Sequence, residues 1–253
     1  MYQGAASQEH ANLGPRGQRR KVIMGFVAEG LQVVHGRIAA AARAVGRDPA
    51  SVALVAVTKT VAAERIREAA LAGQRAFGEN YAQEGAAKAA GLEPLGLEWH
   101  LIGPLQSNKT RLAAEHFHWV HSIDRLKIAE RLAAQRPPAL PPLQVCLQVN
   151  VSGEASKAGV PADGLPALAT AVAALPGLRL RGLMAIPEPT GDAALLRARF
   201  RTLRQLLEGL KARGLALDTL SMGMSDDFEL AIAEGATLVR VGRAIFGARP
   251  MAA

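Results

Sequence analysis

From about residue 52 onward, short apolar runs alternate with longer stretches whose apolar residues recur three and four positions apart. Runs rich in valine, leucine and isoleucine, bounded by polar residues, read as strands buried on both faces. They fall at 52–57, 76–78, 97–102, 119–122, 143–151, 178–186, 217–221 and 238–241. The stretches between them carry helical spacing, at 62–72, 81–90, 109–116, 125–135, 163–174, 193–213 and 226–234. A further helix is predicted over 22–45, with Phe26, Leu31, Val34, Ile38 and Ala42 sharing an apolar face and Gly46 just past its end. Residues 1–20 are polar and aperiodic, and are expected to form a disordered or extended tail.

Alternating strands and helices imply a parallel sheet with right-handed crossovers. Eight such units in 253 residues fit a closed (β/α)8 TIM barrel better than an open doubly wound sheet. No GxGxxG follows the first strand, which removes the usual dinucleotide fingerprint. The segment Pro137-Pro-Ala-Leu-Pro-Pro142 is short enough to be a loop within the barrel. One domain, residues 21–253, is therefore expected, with an extra helix ahead of the first strand.

Composition narrows this picture. The single cysteine, Cys146, lies in an apolar run, so no disulfide framework exists and a reducing, cytoplasmic setting is expected. No apolar stretch approaches the ~20 residues of a membrane span. A net charge of +8 invites a nucleic-acid reading, yet aromatics for base stacking make up only 4% of the chain. Basic residues such as Arg197, Arg199 and Arg201 read as one solvated helix face. Nucleic acid is not expected as the primary ligand. The same charge suits a phosphorylated small molecule.

The candidate chemistry lies at the C-terminal ends of the strands, where barrels carry their sites. Lys59 ends the run 51–59, and an amine at the mouth of a buried strand is pushed towards its neutral form, as Schiff-base chemistry requires. Only 7 of the 30 basic residues are lysine, which makes the choice of lysine here more telling. The other strand ends supply Glu79, Asn80, Gly103, Ser122, Asp124, Asn150 and Met184. After the seventh strand comes Ser221-Met-Gly-Met-Ser225-Asp-Asp227, and after the eighth Gly242-Arg243. Glycines there let backbone N–H groups approach an anion, and barrels commonly bind phosphate on these two loops. Ser225 is expected either to cap the next helix or to donate to that anion.

Six motifs in register resemble the pyridoxal phosphate homeostasis proteins (the YggS/PROSC family). They are Lys59 in its strand, Phe77-Gly-Glu-Asn80, Trp99-His-Leu-Ile-Gly103-Pro-Leu-Gln-Ser-Asn-Lys109, Gly182-Leu-Met-Ala-Ile186, Ser221–Asp227 and Arg240-Val-Gly-Arg-Ala-Ile-Phe-Gly247. The resemblance runs from about Val22 to Arg249. It implies a barrel of the alanine racemase N-terminal type that binds pyridoxal 5′-phosphate (PLP) covalently, with Lys59 forming the internal aldimine. It further implies Asn80 near the cofactor ring, Ser221, Gly223, Ser225, Gly242 and Arg243 around the phosphate, and Arg240 facing the pyridine nitrogen. Arg243 departs from the small hydroxylated residue of many relatives, and Thr58 and Val61-Ala62 replace the usual serine and lysine-proline.

An arginine at that nitrogen has a consequence. Guanidinium only donates hydrogen bonds, so the ring nitrogen must accept one and stay unprotonated, which weakens the ring as an electron sink. Racemisation also needs a second acid or base, and the only tyrosines are Tyr2, in the tail, and Tyr81, at a helix start. The expectation is therefore a monomeric binding protein that buffers PLP or supplies it to PLP-dependent apoenzymes, rather than an enzyme with strong turnover. A PLP-dependent racemase or decarboxylase, and a phosphate-binding barrel enzyme using Lys59 as a base, stay as alternatives. His100 reads as a hydrogen-bonded core residue. His116, His118 and His121 have no companion ligands for zinc, and Asp226 and Asp227 suit a helix first turn. Lys157 reads as a solvated loop lysine.

Overall fold

The computed structural model describes residues 16–153 and 158–247, with side chains from Gly25 onward; the remainder of the expected tail, Lys157 and Arg249 lie outside the described residues. Eight parallel strands close into a barrel in sequence order. They are β1 (Ala53–Val57), β2 (Ala76–Glu79), β3 (Glu98–Leu101), β4 (Trp119–Ile123), β5 (Leu143–Gln148), β6 (Leu178–Met184), β7 (Thr219–Ser221) and β8 (Leu238–Val241). The helices are α1 (Arg16–Ala44), α2 (Ala63–Leu71), α3 (Ala82–Gly91), α4 (Thr110–His116), α5 (Leu126–Gln135), α6 (Leu165–Ala173), α7 (Ala193–Ala212), α8 (Phe228–Ala233) and α9 (Arg243–Phe246). The expected (β/α)8 barrel with an additional N-terminal helix is present. The turn α9 after β8 carried no sequence signal, being a single turn long. Among the described residues no helix is long and apolar enough to cross a membrane.

Several strands end earlier than their apolar runs, because the residues beyond them pack into the mouth of the barrel. Val149 stays buried while its chain leaves β5 to bridge Val160. Ala185 stays buried beyond β6 and donates its N–H to the Ser221 carbonyl. The apolar signal reports burial, and burial outlasts the ladder.

On α1 the buried residues are Val27, Leu31, Val34, Ile38 and Ala42, spaced for a single face. Phe26, expected on that face, is 49% exposed. It lies one position round the helix, beside Gly247 and the Arg65 guanidinium. The α1 helix packs closely on α9 at Gly30, where a Cβ would stand 2.8 Å from the Ile245 carbonyl oxygen.

The arginines of α7 do more than face water. Arg197 and Arg201 donate to the Glu234 carboxylate at 2.9 and 3.0 Å, and Arg204 approaches it at 4.0 Å. The Glu234 side chain is only 3% exposed. The arginines therefore clamp α7 to the end of α8, and each exposed head is tied to a sheltered anion.

Alternation along the strands sends aliphatic side chains outward, against the helices, where most of the core lies. The barrel interior is unusual. Branched aliphatic layers are the norm there, whereas here Trp119, Cys146 and Met184 form a small separate cluster. Around it stand the buried polar residues His100, His121, Ser221 and Arg240.

Candidate functional site

Beyond β1 the chain makes a turn closed by the Val61 N–H on the Thr58 carbonyl, at 2.9 Å. Lys59 sits in this turn, half-buried. The next residue, Thr60, has φ +63, the one non-glycine residue with positive φ among those described. A β-branched residue in that region costs about 1–3 kcal/mol and persists only where its surroundings hold it.

The holding network is visible on both sides of Lys59. The Thr60 N–H donates to Glu84 Oε1 at 2.7 Å, and Lys88 Nζ donates to the same oxygen at 2.7 Å. Lys88 Nζ also donates to the Thr58 carbonyl at 2.6 Å and to Glu79 Oε1 at 2.8 Å. Thr58 Oγ1 completes the set by donating to Glu79 Oε1 at 2.6 Å. Glu79 is fully buried; desolvation raises its pKa, opposed by the hydrogen bonds from Lys88 and Thr58. Glu79, Glu84 and Lys88 thus fix Lys59 through its two neighbours, a role that sequence spacing did not reveal beyond placing Glu79 at a strand end.

Lys59, Asn80, Ser225, Arg240, Gly242 and Arg243 line one cavity of about 320 Å³ at the C-terminal mouth. That is within the ~300–1,000 Å³ of ordinary small-molecule sites. Val57, Ile102, Pro104, Ile186 and Met224 supply its apolar wall. Gly103 allows the loop after β3 to lie against Asn80, whose carbonyl oxygen would stand 2.3 Å from an added Cβ.

Six of the eight sequence-predicted residues therefore converge, and two do not line the cavity. Ser221 is fully buried, with its Oγ 2.7 Å from Arg240 Nη1 and 2.8 Å from His121 Nδ1. Its hydroxyl is engaged beneath Arg240, between that guanidinium and His121. Gly223 has φ +92, and a Cβ there would meet Ala231 Cβ at 2.6 Å and Phe228 Cα at 2.9 Å. Its work is to make the turn. Gly223→Ala is expected to destabilise the protein by about 2 kcal/mol through strained φ and overpacking, measured as a lowered urea midpoint.

Arg240 is 3% exposed and donates to Ser221 Oγ and, through Nη2 at 2.9 Å, to the Ala185 carbonyl. Burial lowers its pKa to about 10, against which Asp227 acts as the main opposing charge. It remains a cation at neutral pH, with no carboxylate at ion-pair distance among the described residues. A guanidinium carries five N–H donors, so some remain for a ligand.

The loop after β7 differs in detail from expectation. Asp227, not Ser225, occupies the N-cap position of α8, and its Oδ1 accepts the Met224 N–H at 2.5 Å. The Ser225 and Asp226 N–H groups make no hydrogen bond within the described residues, and Ser225 faces the cavity. The exposed Arg243 pairs with Asp226 across the two loops. The donor set therefore holds a primary amine, a buried donor-only guanidinium, and free N–H groups beside a second guanidinium. It fits PLP, which presents an aldehyde, a basic ring nitrogen and a phosphate.

Comparison with known proteins agrees with this geometry. The family model of the alanine racemase N-terminal domain matches residues 34–250. The chain is 64% identical over 226 residues to the pyridoxal phosphate homeostasis protein of Pseudomonas aeruginosa, covering 89% of this chain and 97% of that protein. Among solved structures, PipY of Synechococcus elongatus with PLP bound is 43% identical with a TM-score of 0.76, covering 87% of this chain and all of that one. Alanine racemase from Corynebacterium glutamicum, at 18% identity and a TM-score of 0.66 over 90% of this chain and 63% of that one, shares the fold. With its barrel, its lysine and these relatives, the chain belongs to the pyridoxal phosphate homeostasis protein family, a branch of the alanine racemase N-terminal domain group.

Proposed function

We propose that this protein binds PLP reversibly through Lys59 and takes part in its homeostasis, holding the cofactor in the cytoplasm and releasing it to PLP-dependent apoenzymes. The observation that carries this reading is the presence of Lys59 and the buried, still-charged Arg240 on one cavity. Lys59 would hold the cofactor through its aldehyde carbon: the amine nitrogen would take the place of the carbonyl oxygen, which would leave as water with the two amine protons. Hydrolysis reverses the bond, as a carrier requires. Arg240 donates to the ring nitrogen and keeps it unprotonated. Ser225, Gly242 and Arg243 receive the phosphate, while Asn80 lies beside the ring. Bound, the cofactor supplies an electrophilic carbon and, only when its ring nitrogen is protonated, a strong electron sink.

Among the described residues the cavity has one carboxylate on its wall, Asp226, which is paired with Arg243. No histidine, cysteine or tyrosine lines it among the described residues, and Tyr81 is 61% exposed at the start of α3. A monomer suffices for this role.

Titration of the protein with PLP should generate a saturable visible absorption band. Amino acids added in deuterated water should exchange their α-protons far more slowly than the ~1 per second of an ordinary enzyme. A protein that stays colourless would refute PLP binding; exchange at an enzymatic rate would refute the carrier role. Arg240→Glu offers the ring nitrogen a carboxylate, so the loaded variant should show a protonated-ring spectrum. An unchanged spectrum and affinity would mean that Arg240 does not face the nitrogen.

A further inference from the structure

A continuous line of buried polar groups runs from Arg240 through the barrel to its opposite end. Arg240 Nη1 lies 2.7 Å from Ser221 Oγ, and Ser221 Oγ lies 2.8 Å from His121 Nδ1. His121 Nε2 is 2.9 Å from His100 Nδ1, and His100 Nε2 is 2.7 Å from Glu98 Oε1. Ser221, His121 and His100 are all at most 1% exposed, while the Glu98 side chain is 49% exposed. Glu98 lines a second cavity, of about 280 Å³, whose wall includes Ala53, Ala76, Trp119, Thr219 and Leu238. Those are the first residues of five strands, so this cavity is the N-terminal mouth. The five groups come from four strands, β3, β4, β7 and β8, and the line joins the two faces of the barrel.

The chemistry at the two ends gives the line a direction. Arginine can only donate, and an ionised carboxylate can only accept. With neutral imidazoles, His100 must donate Nε2–H to Glu98 and accept at Nδ1 from His121 Nε2–H. His121 must then accept at Nδ1 from the Ser221 hydroxyl, whose oxygen accepts from Arg240. With both rings neutral, no other arrangement satisfies every contact. Neutrality is favoured by the surroundings: burial lowers the pKa of His100 despite the Glu98 hydrogen bond, and lowers that of His121 well below its usual value, next to His100 and Arg240. The hydrogen bond from His100 holds the Glu98 pKa low, with His118 and Arg181 adding to it. Trp119 stacks on His100 at 5.4 Å and carries the Arg181 guanidinium on its ring at 4.9 Å, so both imidazoles are braced by apolar surface. Arg181 in turn is paired with Asp218, at the same mouth.

We propose that Glu98, His100, His121 and Ser221 are positioning residues that form a one-directional hydrogen-bond chain through the barrel, fixing the orientation and donor direction of Arg240 at the ring nitrogen of PLP. The exposed carboxylate at the N-terminal mouth thereby influences the ring at the C-terminal mouth. This inference rests on the placement of Arg240 at that nitrogen. A relay of neutral groups polarises cumulatively when all its donors point the same way. Filling the barrel with His100 and His121 solely for packing would need neither a shared tautomer nor a carboxylate at the end.

Nitrogen-15 NMR of histidine-labelled protein without PLP tests the chain by itself, with His100→Phe and His121→Phe assigning the signals. Both rings should be neutral Nε2–H tautomers at neutral pH, and should become charged only at lower pH than an ordinary histidine of pKa about 6.5. In protein loaded with PLP, His121→Phe, which removes the hydrogen bonds to Ser221 and His100, should weaken affinity about tenfold. Glu98→Gln, a change at the surface, should weaken it about two- to threefold and shift the visible band. An Nδ1–H tautomer or a charged ring at neutral pH would overturn the proposal. So would an unchanged band and affinity in Glu98→Gln. If the unaltered protein fails to bind PLP, the functional reading fails, while the tautomer measurement still decides the chain.

Discussion

Lys59→Ala should abolish covalent capture of PLP and weaken its equilibrium affinity by about a hundredfold, or ~2.7 kcal/mol. The loss is confined to one bond. Arg240, Asn80, Ser225 and Gly242 remain on the cavity wall and continue to offer donors to the ring and the phosphate. The variant should therefore bind PLP weakly, with the spectrum of the free aldehyde. Lys59→Arg should behave in the same way, since a guanidinium does not form the bond under these conditions. Absorption titration together with equilibrium dialysis separates loss of the covalent link from loss of the site. Full-strength binding by both variants would remove Lys59 from its assigned role. Folding should be unaffected, because Lys59 is half-buried in a surface turn.

Lys88→Met should cost about 3 kcal/mol of stability, because it leaves the buried Glu79 carboxylate without its cation. Glu79 has no exposed surface, Lys88 only 12% of its side chain, and Oε2 of Glu79 already has no hydrogen-bond partner. For a chain of this size the loss corresponds to a fall of about 6–12 °C in Tm. The sign of its pH dependence follows from the raised pKa of Glu79. The folded state binds this proton more tightly than the unfolded state, so its stability falls as pH rises through that range. Without Lys88 the shift grows, and the deficit of Lys88→Met should be larger at pH 8 than at pH 5. Adding Glu79→Gln should recover part of the loss, a coupling that a double-mutant cycle measures. The same substitution also releases the Thr58 carbonyl and the Glu84 brace on Thr60, so PLP affinity should fall along with stability.

The architecture was written plainly in the apolar pattern. Each expected strand and helix appears within a few residues of its place, because a parallel sheet buried on both faces leaves near-continuous apolar runs; the exception is the start of α1, at Arg16, inside the segment expected to be a disordered or extended tail. The structure differs where burial and hydrogen bonding part company, as at Val149 and Ala185, and where the buried helix face is narrower than the apolar spacing, as at Phe26. The strand-end rule collected Lys59, Asn80, Ser225, Arg240, Gly242 and Arg243 from separate parts of the chain. It also gathered Ser221 and Gly223, which stand at the same end but under the cavity floor or in the turn itself. Side-chain direction distinguishes these cases, and a three-residue strand gives too little alternation to read it.

The supporting networks were less legible for a different reason. Glu84 and Lys88 lie on α3, and their connection with Thr60 exists only after β1 and β2 are adjacent. His100 reads as a hydrogen-bonded core histidine and is one, but its partners are contributed by one other strand and by its own strand start. Closeness in sequence groups His121 with His116 and His118. The barrel instead turns His121 inward to Ser221, while His118 accepts the Trp99 N–H from the side. Short spacing in sequence was the wrong metric; register across strands was the informative one.

The central claim is that Lys59 is the point of attachment. Protein loaded with PLP should be reduced with borohydride, digested, and its peptides mapped by mass spectrometry. A single phosphopyridoxyl modification on the peptide carrying Lys59, with loss of the visible band, is the predicted result. Modification of another lysine in place of Lys59, or a saturated protein with no modified peptide, would contradict it.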